Sequence, residues 1–372
     1  MVIQMVDVVG QYRKIKNEID AAIQGVVESG QYILGPAVRE FEQAAAAYLG
    51  VRNAIGCASG TDALQVAMMA IDIKPGDEVI TTPFTFVATT ETIALLGAKP
   101  VYVDIDPLTF NINPALIKRA ITKKTKAIIP VHLYGLPADM DPIMEVARSH
   151  SIRVIEDAAQ AMGADYKGRK VGGIGLMGAI SFFPSKNLGA FGDAGMIVTN
   201  DDAIAEKLRM IIVHGSKVRY KHEILGVNSR LDSIQAAVLS VKLRYLDQWR
   251  DTRRTAARRY DALFRETDIA TPTEASYGTH IYHQYTIRLK NRDTVAAKLT
   301  EQKIPHGIYY PISLHLQQAF RQAGVGEGAF PVTEHACREV LSLPMHTELT
   351  EEQQSHIVSV VRTAAGLQEL PR

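Results

Sequence analysis

From Glu78 to Thr199 short apolar runs alternate with helix-like segments, and no other feature of the chain constrains its fold as strongly. The strand candidates are Glu78–Thr82, Val101–Ile105, Ala127–His132, Arg153–Glu156, Ala179–Phe183 and Met196–Thr199. They are rich in Val and Ile without a clean polar alternation, the pattern of strands buried on both faces. Between several of them lie helical patterns, at Val87–Leu96, Pro114–Ala120 and Asp141–Ser149. Such repetition predicts an α/β fold with a mainly parallel sheet flanked by helices. Ligands of these sheets sit beyond the carboxyl ends of the strands.

The stretch Leu231–Arg265 contains no Gly or Pro and reads as one or two long helices. Its first half is apolar on one face, through Ile234, Val238, Val241 and Tyr245, and its second half carries Arg250, Arg253, Arg254, Arg258 and Arg259. The domain boundary is placed near Trp249. Residues 1–249 then form a large domain, and 250–372, with Thr271-Pro272 and Tyr285–Leu289, a smaller α+β domain. A chain of 372 residues has room for both.

Lys and Arg total 41 against 40 Asp and Glu, so the net charge gives no commitment to nucleic acid or to anionic membranes. The two cysteines, Cys57 and Cys337, have neither metal-ligand nor redox spacing, which points to a reducing compartment. Met1-Val2-Ile3-Gln4 does not open a signal peptide, and no apolar run approaches the roughly 20 residues that span a bilayer. A cytoplasmic location is expected.

Three segments converge on one chemistry. Asp157, in Glu156-Asp157-Ala158-Ala159-Gln160, stands at the tip of a buried strand. Ser181-Phe182-Phe183-Pro184-Ser185-Lys186 leaves the next strand through a proline and sets Lys186 on a loop near the same edge. Ser59-Gly60-Thr61-Asp62 precedes the apolar helical run Ala63–Ala70. A lysine amine condenses with an aldehyde, and burial makes it nucleophilic near neutrality. A carboxylate beside a pyridine nitrogen keeps that nitrogen protonated, so that the ring draws in electrons. Backbone N–H groups at a helix start bind phosphate, with Gly60 allowing close approach and the hydroxyls of Thr61 and Ser181 adding hydrogen bonds. Singly, each has a plainer reading: a strand-ending turn, a solvated lysine, an N-cap. Together and in this order they fit pyridoxal 5'-phosphate.

The sequence resembles the DegT/StrS-type nucleotide-sugar aminotransferases, of the aspartate-aminotransferase fold, from Gly35-Pro36 to Pro344. Besides the three segments, the resemblance is carried by Pro83-Phe84-Thr85-Phe86, Val131-His132-Leu133-Tyr134-Gly135, Asn228-Ser229-Arg230-Leu231-Asp232 and Tyr310-Pro311. It implies fold type I, a large domain with a mostly parallel seven-stranded sheet and a small C-terminal domain. It further implies that Lys186 is the Schiff-base lysine and proton shuttle, that Asp157 pairs with the pyridine nitrogen, and that Gln160 lies by the ring hydroxyl, where some relatives carry His. Phe86 would stack on the ring, and Gly60, Thr61 and Ser181 would hold the phosphate. Asn228 would reach that phosphate from the neighbouring subunit of a homodimer with active sites at the interface, and Arg230 would face a carboxylate or hydroxyl of the substrate. Many relatives have His-Tyr-Pro where this chain has Tyr309-Tyr310-Pro311. Tyr310 keeps its match, but a phenol at Tyr309 offers one polar tip and no switchable charge near the sugar.

The resemblance implies a ping-pong transamination, with L-glutamate the expected donor and a nucleotide-linked keto-sugar the acceptor. Amination at C3 of a UDP-linked 3-keto-N-acetylglucosamine, giving the 2,3-diamino sugar of some lipid A, is the leading expectation. The corresponding uronic acid follows, then a dTDP-linked 3-keto-6-deoxyhexose, with C4 amination behind them. A non-catalytic sensor or regulator is the reading from another class, and a sugar dehydratase would carry His in place of Lys186. Other signals have plainer readings. Gly173-Ile174-Gly175-Leu176-Met177-Gly178 satisfies GxGxxG but opens a strand rather than a helix, so it is not read as a dinucleotide site. The histidines have no metal-ligand spacing; His132 and His214 read as core or loop residues and Cys57 as core. The arginine run reads as a solvated helix face.

Overall fold

The computed structural model describes residues 2–321 and 325–368. Its main sheet comprises β1 Asn53–Cys57, β2 Glu78–Thr81, β3 Lys99–Tyr102, β4 Thr125–Ile128, β5 Arg153–Asp157, β6 Met177–Ser181 and β7 Gly195–Thr199. The spatial order is β1-β7-β6-β5-β4-β2-β3. Strands β2 to β6 pair in parallel, whereas β7 runs antiparallel to both neighbours. No helix crosses over between β6 and β7, so the chain returns in the opposite sense.

Both faces of the sheet are covered, as the near-continuous apolar strands require. Val154, Ile180 and Val198 join one cluster with Phe41, Ile143 and Leu239. Their chain neighbours Ile155, Ala179 and Ile197 join another with Leu64, Met68 and Leu208. Six of the seven strands overlap the sequence candidates; β1 was not among them. The candidate Ala127–His132 is realised as Thr125–Ile128, because Pro130 has no N–H to give the ladder. Its carbonyl still accepts the Asp157 N–H at 2.9 Å, and an isolated bridge joins Val131 to Asp157.

Successive strand residues point to opposite faces, so Glu156 and Asp157 at the end of β5 look opposite ways. Glu156 is fully buried. Its carboxylate accepts from the N–H groups of Gly172, Ile174 and Gly175, each at 2.7 Å, and lies 3.0 Å from His132 Nε2. His132 Nδ1 accepts from the Ala138 N–H, which puts the imidazole proton on the nitrogen facing Glu156. Burial alone would push the Glu156 carboxyl up, but these bonds outweigh it and hold its pKa below the usual range. The glycine-rich segment is therefore a nest filled by the protein's own carboxylate.

The long C-terminal stretch forms two helices, Ser233–Leu243 and Leu246–Leu263. In the arginine run on the second, Arg258 is exposed as its charge suggested, but Arg250, Arg253, Arg254 and Arg259 are wholly or partly buried. Arg253 is 4% exposed and donates to the carbonyls of Tyr282 and Met345. Arg254 donates to the carbonyl of His280, and Arg259 to Gln354 and Glu351. Arg253 and Arg254 thus fill backbone carbonyls of neighbouring segments, and Arg259 fills a side-chain amide and a carboxylate. Leu246 and Trp249 of this helix pack with the large sheet and the N-terminal helices, while Ala256, Ala257 and Tyr260 pack with Tyr285, Val295, Leu341 and Ile357. Within that last cluster Tyr285–Arg288 pairs antiparallel with Val340–Leu343. We therefore propose the boundary near Trp249, inside the helix.

Replacing Glu156 with Ala strands His132, the buried Gly172 N–H and the partly buried N–H groups of Ile174 and Gly175. The expected cost is about 3–5 kcal/mol, seen as a lower urea midpoint at unchanged slope; a loss below about 1 kcal/mol would remove Glu156 from this role.

Candidate active site

Asp157 ends β5 and is 5% exposed. Its Oδ2 accepts from the Thr89 hydroxyl at 2.8 Å and its Oδ1 from the Ala159 N–H at 3.1 Å. Burial pushes its pKa up, against these two bonds and the positive charge of Lys186. Lys186 sits in a turn closed by its own N–H on the Phe183 carbonyl at 2.8 Å. The residue as a whole is partly exposed, but its amine end is enclosed, and desolvation brings its pKa down to about 8 although Asp157 pulls the other way. The charges of a lysine and a carboxylate thus act on each other at the carboxyl end of the sheet.

Gly60 begins the helix Gly60–Ala70, where Ser59 caps the Asp62 N–H at 3.1 Å. A Cβ at residue 60 would lie 2.6 Å from Ser181 Cβ, so only glycine lets the helix start lie against the end of β6. The N–H groups of Gly60 and half-buried Thr61 precede the capped turn and have no partner among the described residues. Gln160 accepts from the Tyr134 N–H at 2.7 Å and donates to the Tyr310 phenol at 3.1 Å. Burial first of all raises the Tyr310 pKa, so the phenol keeps its proton. The Tyr310 ring lies 6.1 Å from Phe84 and 6.4 Å from Phe86, which is 54% exposed. The Tyr309 carbonyl accepts from the Tyr134 phenol, and its ring covers Gly307.

The structure does not join every expected residue to this group. Asn228 is exposed and bridged only to Val213, and half-buried Arg230 has no side-chain partner among the described residues. Between them Ser229, unassigned from sequence, donates to Asp62 at 2.8 Å and accepts from the Ala58 N–H at 3.1 Å. This pins the Asn228–Arg230 loop to the start of the phosphate-type helix. Thr89 was also missed; the signal for it was a run of hydroxyls, Thr89, Thr90 and Thr92, in a helix whose only charge is Glu91. Among the described residues no group of His, Cys, Asp and Glu could hold a metal, and no helix is long and apolar enough to cross a membrane.

The model of the DegT/DnrJ/EryC1/StrS aminotransferase family matches residues 13–362. The chain belongs to this family. Among its curated relatives is a pleiotropic regulatory protein of Geobacillus stearothermophilus, 52% identical over 97% of this chain and 98% of the relative. The UDP-2-acetamido-2-deoxy-3-oxo-D-glucuronate aminotransferase of Pseudomonas aeruginosa is 48% identical over 93% and 96%. The UDP-N-acetyl-3-dehydro-alpha-D-glucosamine 3-aminotransferase of Acidithiobacillus ferrooxidans is 47% identical over 97% of each. The crystal structure of DesV from S. venezuelae, in complex with a ketimine intermediate, superposes with a TM-score of 0.95 at 40% identity, covering 99% of both chains.

The DegT/DnrJ/EryC1/StrS chain described here is a pyridoxal-phosphate-dependent nucleotide-sugar aminotransferase of the aspartate-aminotransferase-like fold. Its own residues fit that cofactor: a lysine whose enclosed amine has a lowered pKa, a buried carboxylate whose charge it feels, and a helix start whose Gly60 and Thr61 N–H groups have no partner among the described residues. A neutral amine is needed to condense with the aldehyde. Cofactor-free protein mixed with pyridoxal phosphate should therefore develop its visible band at a rate that rises through pH 8 and levels off above it. Lys186→Ala should keep the wild-type circular dichroism and lose both the band and turnover; a Lys186→Ala protein with normal turnover would exclude Lys186.

Proposed function

We propose that the enzyme transfers the amino group of L-glutamate to C3 of a UDP-linked 3-keto-2-acetamido sugar, as a homodimer in the cytoplasm. The observation that carries the catalytic part is the enclosure of Lys186 and Asp157 together at the carboxyl end of the sheet. When bound, pyridoxal phosphate supplies an aldehyde that holds amino groups and a ring that accepts electrons. Asp157 would hold the proton on the pyridine nitrogen. Gly60, Thr61 and Ser181 would take the phosphate, Phe86 the ring face, and Gln160 with Tyr310 the side of the ring hydroxyl. Lys186 Nζ, with a pKa of about 8, has a neutral fraction near pH 7 and would take the proton from the donor's alpha carbon.

The sugar assignment is supported by the two relatives at 48% and 47% identity, both named for UDP-linked 3-oxo sugars. With a hydroxymethyl at C6 the substrate is the N-acetylglucosamine type. The uronate is the second reading, favoured by the Arg230 guanidinium, which has no side-chain partner among the described residues and would fit a carboxylate as a fork. The regulatory name of the Geobacillus relative supports a non-catalytic role only weakly, since this chain keeps both Lys186 and Asp157. Dimer formation is supported by the exposed apolar residues Ile33 (48%) and Phe191 (41%), which flank the helix Ser233–Leu243 through the Ile33–Asp232 bridge and the Phe191–Gln235 hydrogen bond. Exposed Asn228 is then free to reach a partner's site. The buried, unpaired Cys57 and Cys337 support a reducing compartment.

A panel of UDP- and dTDP-linked 3-keto and 4-keto sugars, with the new amine located by NMR, tests this reading. The expected result is amination at C3, with kcat/KM for a UDP sugar at least about tenfold above any dTDP sugar. A dTDP or C4 preference would overturn it. Arg230→Gln should lower kcat/KM for the uronate by about tenfold or more and leave the neutral sugar unchanged; equal losses on both would count against the carboxylate contact.

A further inference from the structure

Thr89 lies in the helix Ala88–Leu95 and is fully buried. A buried threonine in a helix can return its hydroxyl to the carbonyl one turn back. Thr92, three residues on, does so, donating to Ala88 at 2.8 Å. Thr89 does not. Its hydroxyl donates instead to Asp157 Oδ2, a residue 68 positions away. It also lies 3.1 Å from the Thr85 hydroxyl, where either oxygen has the distance to donate. An ionised carboxylate only accepts, so the single Thr89 proton points at Asp157 and the Thr85 proton must point at Thr89. Thr85, 2% exposed, stands between Phe84 and Phe86. The chain of hydroxyls thus runs from the segment carrying the exposed aromatic ring to the buried carboxylate, each bond polarising the next.

We propose that Thr89 is a positioning residue for the transamination: oriented by Thr85, its hydroxyl fixes the charge and direction of Asp157 toward the cofactor ring. The inference rests on the reading of Asp157 as the carboxylate that meets the pyridine nitrogen. Among the described residues Asp157 has two donors, one on each oxygen, and the other is the backbone N–H of Ala159, which no side-chain substitution removes. Thr89 is therefore the point at which the carboxylate is adjustable. The other charged or titratable groups acting on Asp157 are Lys186, His132 and Tyr310.

The test compares Thr89→Val, which keeps the shape and removes the hydroxyl, with Thr89→Ser, which restores it, and with Thr92→Val on the same helix. Pyridoxal phosphate is the probe, read by its equilibrium affinity for the cofactor-free protein and by the pH at which the visible band is lost on acidification. A hydrogen bond to a charged group is removed, so Thr89→Val should bind the cofactor about tenfold more weakly. The lost donor favours protonated Asp157, so the acid limb should move up by about one pH unit. Thr89→Ser should restore both values and Thr92→Val should leave both unchanged. Wild-type values in Thr89→Val, failure of Thr89→Ser to restore them, or equal losses in Thr92→Val would each overturn the proposal. Asp157→Asn separates the two levels of the argument. If it binds and titrates as wild type, the reading of Asp157 itself is wrong; if it fails while Thr89→Val does not, only the role of Thr89 is lost.

Discussion

The carboxylate of Glu156 is the interaction on which the rest of the molecule depends. It has no access to solvent, and it draws together the chain leaving β4, through His132, and the loop that leads into β6, through Gly172, Ile174 and Gly175. A buried charge is tolerated only when its lone pairs are filled, and here the filling groups come from both sides of the central strand. One residue further on, on the opposite face, stands Asp157, the carboxylate proposed to meet the cofactor ring. Two adjacent carboxylates therefore divide the work: the first fixes the strand ends, and the second inherits the position so fixed.

Much of this was legible in the sequence because it is local. Strands β2 to β7 show as Val- and Ile-rich runs, and Asp157 and Lys186 stand at predictable distances from two of them. The strand β1 was not legible. Asn53-Ala54-Ile55-Gly56-Cys57 has a glycine where a strand residue would normally carry bulk, and its place is set by packing: a Cβ on Gly56 would lie 2.8 Å from Leu231, 175 residues later. Tertiary contact decides such a segment, not its propensity.

The same limit explains the site residues that were missed or misread. Ser229 and Thr89 are ordinary hydroxyls until partners 167 and 68 positions away are brought to them. The arginines after Trp249 looked solvated because charge is the only local fact about them; the carbonyls that receive Arg253 belong to segments 29 and 92 positions downstream.

The helix Leu246–Leu263 has a mechanical consequence. Its first turn is held by the large-domain core and its later turns by the C-terminal core, and no glycine or proline interrupts it. A stiff rod clamped at both ends offers no soft joint. Any tilt of the C-terminal body levers Leu246 and Trp249 against their packing partners, so the force is felt beside the N-terminal helices, on the far side of the fulcrum. A tilt of one part against the other therefore has to be taken up in that packing.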